Sequence, residues 1–178
     1  LTWDFEESWY AACPNLKAIF TPAAGSDWVH PDPMGRVETI HGTFHGAILA
    51  ESLLGALLFM NHKMPDMVRN HQTKNWDRNI QTDARLLRNQ NVLIIGLGRI
   101  GLSCAELIQK TGADVIGVRR NPVATAVTGI STHGMDDLES LLPWADHVVL
   151  LLPGSESTNQ FMNPARLSLM KPGSYIYN

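Results

Sequence analysis

Residues 91–101 read Asn-Val-Leu-Ile-Ile-Gly-Leu-Gly-Arg-Ile-Gly, and this stretch constrains the fold more than any other part of the chain. Its apolar, β-branched first half predicts a strand that is buried on both faces. Gly96, Gly98 and Gly101 have the G-x-G-x-x-G spacing, and residues 102–110 have the composition of a helix. A strand that leads through closely spaced glycines into a helix is the pattern of a phosphate-binding turn.

Each glycine of this motif has a separate predicted task. Gly96 permits the tight turn, Gly98 lets the backbone approach a pyrophosphate, and Gly101 lets the helix pack close to the strand. The helix N-terminus adds unpaired N–H groups and the positive end of the helix dipole. The motif therefore predicts a dinucleotide site. A tight strand–helix turn that holds no ligand is the alternative.

Strand and helix patterns alternate along most of the chain. Strands are predicted at 16–20, 36–40, 92–95, 114–118, 127–130, 147–152 and 175–177, and helices at 1–14, 46–62, 102–110, 135–142 and 164–170. This alternation predicts an α/β fold with a parallel, doubly wound sheet, in which the glycine motif belongs to a Rossmann-type cofactor domain.

The helix predicted at 46–62 is apolar almost all round. Such a helix must be covered on every side, by its own domain or by a partner subunit, and we expect a homodimer whose interface includes it. Trp76 lies among charged residues downstream. Trp76 would either lie on an exposed arm that contacts a partner or pack locally against its own domain.

The composition restricts the class of protein. The chain has 178 residues, of which 44% are hydrophobic and 17% charged, as in ordinary globular domains. Its net charge of −3 gives no reason to expect nucleic acid or an anionic membrane as partner. Cys13 and Cys104 have neither metal-like nor disulfide-framework spacing, and no signal peptide or membrane-spanning run is visible. We therefore expect a cytoplasmic protein without a metal site.

The end of the predicted strand 114–118 bears on the choice of nicotinamide cofactor. An NAD-specific site carries an acidic residue about 20 residues past the glycines, where it bonds the ribose 2′-hydroxyl. Here Arg119 and Arg120 occupy the strand tip, and Asp114 comes too early. Two guanidinium groups would attract a 2′-phosphate and bond it, so NADP is predicted. NAD is the alternative, with the arginines as solvated surface residues.

Residues 21–27, Thr-Pro-Ala-Ala-Gly-Ser-Asp, follow the first predicted strand. Proline and glycine mark irregular backbone there, so free N–H groups could hold an anion. From the residues alone, an ordinary strand–helix connection is favoured.

Several of these stretches together resemble the D-isomer-specific 2-hydroxyacid dehydrogenases. This family includes glyoxylate/hydroxypyruvate reductases, D-lactate dehydrogenases and phosphoglycerate dehydrogenases. The matching segments run in family order across nearly the whole chain: 23–27, Ala50-Glu51, 96–101, 137–142, 151–153 with Thr158, and 170–173 leading to Asn178.

The resemblance implies two domains. Residues 1–43 would be the C-terminal part of a smaller, flavodoxin-like substrate-binding domain, and residues 44–178 an NAD(P)-binding domain that is incomplete at its C-terminal end. Ala24 and Gly25 match the loop whose amides hold the substrate carboxylate, which reverses the preference stated above for that loop. Leu152, Pro153 and Thr158 match positions on the adenosine side of the cofactor. The expected cofactor-binding set is Gly96, Gly98, Arg99, Ile100, Gly101, Arg119, Arg120, Leu152, Pro153 and Thr158.

The catalytic arginine, glutamate and histidine of this family would lie beyond Asn178. We therefore expect a chain that continues at both ends, and a 178-residue fragment without reductase activity. The histidines here lack the accompanying family motif, so they are interpreted as packed or surface residues: His30, His41, His45, His62, His71, His133 and His147.

Three functions are compatible with the resemblance. The leading one is an NADPH-dependent reductase of a small 2-keto acid such as glyoxylate or hydroxypyruvate. An NAD-dependent relative, for example one that acts on 3-phosphoglycerate, is the second. A non-catalytic, corepressor-like scaffold that binds NAD(H) is the third.

Overall fold

The computed structural model describes residues 2–25, 29–42, 44–80, 82–122 and 129–178. The chain forms two compact units. The first, here called the N-terminal unit, consists of Leu1–His45 and Leu152–Phe161, and the second, the sheet unit, consists of Gly46–Leu151 and Met162–Asn178. The assignment of residues 1–43 to a substrate domain and 44–178 to a cofactor domain stays a prediction. Within the described ranges, no helix is long and apolar enough to cross a membrane.

The N-terminal unit contains two parallel strands, β1 (Ala18–Thr21) and β2 (Glu38–His41), and the short helix α1 (Trp9–Ala12). Both strands were predicted within two residues. The helix predicted at 1–14 is wrong apart from this single turn. Phe5 instead forms an isolated parallel bridge with Val29, so its backbone is extended.

The sheet unit contains five parallel strands in the order β5-β4-β3-β6-β7. They are β3 (Asn91–Ile95), β4 (Asp114–Val118), β5 (Ser131–His133), β6 (His147–Leu150) and β7 (Tyr175–Tyr177). The α/β class with a parallel Rossmann-type sheet is thereby confirmed. The strand predicted at 127–130 is wrong where the structure describes it, because Gly129 lies in a turn and β5 begins at Ser131. Val127 and Thr128 lie outside the described residues.

Helices accompany the strands. They are α2 (His45–Asn61), α3 (Met64–Gln72), α4 (Arg99–Gln109), α5 (Leu138–Leu141) and α6 (Pro164–Leu169), with 3-10 turns at Leu87–Asn89, Met135–Asp137, Leu142–Trp144 and Glu156–Thr158. The predictions for α2, α4, α5 and α6 are confirmed. Helix α3 was not predicted, because its sequence is polar and none of its residues is buried.

Strand β3 is the centre of the hydrophobic core. Its four apolar residues are completely buried, and two of them, Val92 and Ile94, pack in a cluster with residues of α2 and α4. Full burial stabilises each such side chain by about 1.5–3 kcal/mol, so this apolar run fixes the middle of the sheet.

Helix α2 buries one face and exposes another. Ala50 and Leu57 lie in the core cluster, with Leu53 and Leu54 packed against it. The opposite face carries four exposed large apolar side chains: Ile48, Leu49, Leu58 and Phe59. Gly55 lies on that same exposed side, and a Cβ placed there would have nothing within 4 Å. The sheet unit therefore presents an uncovered apolar surface, called here the outer face of α2.

His147 begins β6 and is completely buried. Its Nδ1 lies 3.0 Å from the hydroxyl of Tyr177, and its ring stacks on Tyr175. Burial lowers the pKa of His147 from 6.5 to about 4, although the nearby Asp146 carboxylate acts in the opposite direction. The folded sheet unit therefore favours the neutral ring.

This shift predicts an acid-sensitive fold. The unfolded chain takes up the His147 proton below about pH 6.5 and the folded chain below about pH 4, so stability falls as pH falls through that window. The expected loss is on the order of 3 kcal/mol. Urea unfolding of the full-length protein at several pH values measures it. His147→Asn should flatten the dependence, whereas a control change at the exposed His71, His71→Asn, should leave it intact. If the free energy of unfolding depended on pH equally in wild type and in His147→Asn, His147 would not be the source of the acid sensitivity.

Candidate cofactor site and substrate loop

The glycine motif forms a tight turn between β3 and α4. Gly96 has φ +103°, a left-handed conformation that glycine adopts without strain. The amide nitrogens of Gly96 and Leu97 both donate to the carbonyl oxygen of Val118, at 2.9 and 3.1 Å. These two hydrogen bonds tie the turn to the carboxyl end of β4.

Gly98 and Gly101 meet very different surroundings. A Cβ on Gly101 would collide with the carbonyl oxygen of Gly96, so a side chain there would push the helix away from the strand. A Cβ on Gly98 would meet open space. Gly98 is exposed and precedes α4 without a capping side chain among the described residues. The turn therefore presents accessible backbone and the first N–H groups of α4, the arrangement that suits a phosphate.

These two glycines give a matched prediction. Gly101→Ala should destabilise the protein by about 1–3 kcal/mol, because the added methyl group meets backbone that must shift. Gly98→Ala should leave stability nearly unchanged but weaken cofactor binding, because its methyl group fills the open space beside the turn. Thermal unfolding and NADPH titration of both variants separate the two effects. If Gly98→Ala bound NADPH as tightly as wild type, that space would not be where the cofactor lies.

Arg119 and Arg120 directly follow β4, one and two residues beyond the Val118 carbonyl that anchors the turn. Arg119 is half-buried and its amide donates to the carbonyl of His133 at the end of β5, at 3.1 Å. Arg120 is exposed. Within the described part of the chain, neither guanidinium group has a carboxylate partner. The structure thus brings two uncompensated cations to the edge of the sheet where the glycine turn lies, and it leaves Asp114 at the opposite end of β4.

Residues on the predicted adenosine side form a compact loop in the N-terminal unit. Thr158 Oγ1 donates to the carbonyl of Pro153 at 2.7 Å, and Ser155 forms a reciprocal capping box with Thr158. Leu152 is half-buried and Pro153 exposed. The Thr158 side chain therefore holds the loop together, and this gives it a structural role besides the predicted contact with cofactor.

The predicted substrate loop follows β1 in the same unit. Ala24 is exposed and Gly25 is half-buried. The amide of Ala23 donates to Thr21 Oγ1 at 3.2 Å, and the amide of Gly42 donates to the Thr21 carbonyl at 2.8 Å. Ser26 and Asp27 of the predicted loop lie outside the described residues. The loop base is thus held by the ends of both strands.

Sequence reasoning overlooked two glycines that support these sites. A Cβ on Gly117 in β4 would collide with the side chain of Leu97 in the glycine turn, and a Cβ on Gly42 would collide with the carbonyl of Pro22. A glycine inside a predicted strand was the available signal for Gly117, since it indicates close approach of a neighbour. Among the described residues, no group of three or more His, Cys, Asp or Glu side chains could hold a metal ion.

Residues 54–178 match the family model described as D-isomer specific 2-hydroxyacid dehydrogenase, NAD binding domain. Among curated proteins, the chain is similar to a D-2-hydroxyacid dehydrogenase (NAD(+)) from Clostridioides difficile, with 30% identity over 92% of this chain and 50% of the relative. It is also 28% identical to a glyoxylate reductase from Thermofilum pendens, over 94% of this chain and 51% of that protein. The chain spans about half the length of these relatives.

Solved structures show the same fold. A D-isomer specific 2-hydroxyacid dehydrogenase from Xanthobacter autotrophicus Py2, in complex with NADPH and MES, has a TM-score of 0.81 and 25% identity over 98% of this chain and 55% of its own. D-Lactate dehydrogenase from Aquifex aeolicus, complexed with NAD and lactic acid, has a TM-score of 0.79 and 25% identity over 97% of this chain and 52% of its own. Similar structures therefore include both an NADPH complex and an NAD complex.

Proposed function

Because this chain belongs to the D-isomer-specific 2-hydroxyacid dehydrogenase family, we propose that the full-length protein reduces a small 2-keto acid to the D-2-hydroxy acid with NADPH. Glyoxylate and hydroxypyruvate are the proposed substrates. The observation that carries the cofactor assignment is the pair of guanidinium groups, Arg119 and Arg120, immediately beyond the Val118 carbonyl that anchors the glycine turn.

The proposed cofactor site uses backbone at one end and charge at the other. The pyrophosphate would lie in the open space at Gly98 and accept hydrogen bonds from the first N–H groups of α4. Arg99 and Ile100 are the first two residues of that helix. Arg119 and Arg120 would hold the 2′-phosphate, since guanidinium groups form charge-assisted and bidentate bonds with phosphate oxygens. A reduced nicotinamide cofactor, when bound, supplies the hydride.

We propose a preference for NADPH over NADH because two arginines, and no acidic side chain, directly follow β4. An acidic side chain at that tip would bond the ribose hydroxyls of NAD and repel a 2′-phosphate. Here the first two residues beyond β4 are both arginines. The acidic residue of β4, Asp114, lies at the other end of this five-residue strand, which runs from Asp114 to Val118.

The substrate carboxylate is proposed to bind the loop at Ala24 and Gly25. Residues 1–43 would accordingly belong to the substrate-binding domain and residues 44–178 to the cofactor domain, with Leu152, Pro153 and Thr158 on the adenosine side. The catalytic acid/base pair and the arginine that grips the carboxylate would come from residues beyond Asn178.

We further propose a homodimer and a cytoplasmic location. The outer face of α2 supports the dimer, since several large apolar side chains exposed on one helix of a globular domain commonly mark an interface. Both cysteines are free thiols, and this fits a reducing compartment.

A substrate panel tests the function. Full-length protein is incubated with NADPH or NADH and with glyoxylate, hydroxypyruvate, pyruvate or 3-phosphohydroxypyruvate, and cofactor oxidation is followed. The proposal predicts turnover of glyoxylate or hydroxypyruvate with NADPH. Turnover of 3-phosphohydroxypyruvate with NADH would support the NAD-dependent alternative. Tight cofactor binding without turnover of any acid would support the scaffold.

A further inference from the structure

His41 is the last residue of β2 and lies beside the predicted substrate loop. In the parallel pairing of β1 with β2, His41 is in register with Thr21. Side chains alternate between the two faces of a sheet, and burial follows that alternation in both strands, with Thr21 and His41 on the more buried face. The imidazole and the threonine side chain are therefore lateral neighbours, on strands about 4.8 Å apart.

Thr21 connects this position to the loop. Its Oγ1 accepts the hydrogen bond from the amide of Ala23, and its carbonyl accepts the one from Gly42. Gly42 also packs so closely on the carbonyl of Pro22 that no side chain fits there. The end of β2 and the start of the loop thus form one tightly packed element, with His41 at its base.

The two ring nitrogens of His41 are not equivalent. Nδ1 is buried and has no hydrogen-bond partner among the described residues. A neutral imidazole has one donor nitrogen and one acceptor nitrogen. For backbone groups, a buried N–H without a partner is rarer than a carbonyl without one, and we apply the same preference to the ring. The proton of the neutral ring therefore belongs on Nε2. His41 is half-buried and its Nδ1 is inaccessible to a ligand. The Nε2–H group is therefore the hydrogen-bond donor that the ring can offer to a ligand.

We propose that His41 is a substrate-binding residue, whose Nε2–H donates a hydrogen bond to the carboxylate of the 2-keto acid held by residues 22–25. The inference rests on the proposed function, since it assigns a carboxylate to that loop. A carboxylate has about four lone-pair sites, so loop amides and an imidazole donor can bind it together. A donor placed on rigid strand β2 also fixes the orientation of the acid.

The test measures carboxylate binding separately from turnover. Full-length wild type and variants are saturated with NADPH and titrated with oxamate, an unreactive 2-keto acid analogue, and KM and kcat for glyoxylate are measured in parallel. His41→Ala and His41→Phe both remove the donor, and the second preserves ring volume if the first fails to fold. Each should raise the oxamate Kd and the glyoxylate KM by about 10-fold, with a smaller change in kcat.

Three comparisons make the result specific. His41→Gln, whose amide nitrogen can occupy the Nε2 position, should recover most of the oxamate affinity. His30→Ala, at an exposed histidine of the same unit, should change nothing. NADPH affinity should be the same in all variants. Unchanged oxamate Kd in both His41→Ala and His41→Phe would overturn the inference.

The failure of the proposed function would look different. A wild type that binds oxamate in a His41-dependent manner but reduces no 2-keto acid would overturn the proposed function and support the binding role of His41. A wild type that neither binds oxamate nor reduces any acid would overturn both.

Discussion

Arg120→Ala in the full-length protein is expected to weaken NADPH binding about 10- to 100-fold and to leave NADH binding nearly unchanged. The change would remove the proposed charge-assisted contact with the 2′-phosphate, which is worth roughly 1.5–3 kcal/mol. About 1.4 kcal/mol corresponds to a tenfold change in affinity. NADH lacks the 2′-phosphate, so it has no such contact to lose. Equilibrium titration with both cofactors, together with kcat/KM on one 2-keto acid, measures the effect.

A stronger variant and a control variant accompany Arg120→Ala. Arg119→Asp should act more strongly, because it adds repulsion against the 2′-phosphate and provides an acceptor for the ribose hydroxyl of NADH. Arg69→Ala removes one positive charge from α3 in the same unit, where Arg69 pairs with Asp66, and it should leave both affinities alone. An Arg120→Ala protein that loses NADPH and NADH affinity equally would show that the arginine does not contact the 2′-phosphate.

The second large effect is expected at the outer face of α2. The double change Ile48→Asp with Phe59→Asp should convert the proposed homodimer into a monomer at micromolar concentration. Ile48 is 63% and Phe59 41% exposed in the single chain, so the monomer tolerates charge at both positions. In a dimer interface each carboxylate would be buried without a partner, at a cost of about 3–5 kcal/mol. Sedimentation velocity measures the outcome.

A matched control uses an exposed apolar residue outside that helix. Met34 is 72% exposed in the N-terminal unit, and Met34→Asp should leave the association state unchanged. Thermal unfolding of each variant checks that the fold is intact. A wild-type protein that sediments as a monomer throughout the micromolar range would refute the dimer, as would a double variant that remains dimeric.

Sequence alone predicted the elements whose residues are buried. The apolar runs of β3 and β6 read as strands because a parallel sheet covered on both faces selects uninterrupted β-branched residues. Helix α2 was predicted from its length and apolar composition, within one residue at each end. In these elements, local composition and tertiary burial indicate the same structure.

Exposed and marginal elements could not be predicted in the same way. Helix α3 was missed because its composition is polar: Met64, Met67 and Val68 recur at helical spacing, but none of its residues is fully buried. Strand β5 reads Ser-Thr-His and lies at the edge of the sheet, where burial does not select apolar residues. The N-terminal segment was predicted as a helix from its composition, but the backbone pairing of Phe5 with Val29 overrides that preference.

The sequence predicted which residues form the candidate cofactor site, but it did not predict how they are arranged in space. Spacing identified Gly96, Gly98 and Gly101, and the strand tip identified Arg119 and Arg120. The two hydrogen bonds from the turn to Val118, which bring these groups to one sheet edge, depend on the pairing of β3 with β4. The orphaned Nδ1 of His41 has no sequence signature at all, because it results from packing in the N-terminal unit.

Transfer of deuterium from the cofactor tests the central proposal most directly. Full-length protein is supplied with glyoxylate or pyruvate and with NADPH deuterated at the transferable position of the nicotinamide, and the product is analysed by mass spectrometry and chiral separation. The expected product is a 2-hydroxy acid with one deuterium at C2, of D configuration where pyruvate is the substrate. Absence of product, or a product without deuterium, would contradict hydride transfer from NADPH to a 2-keto acid.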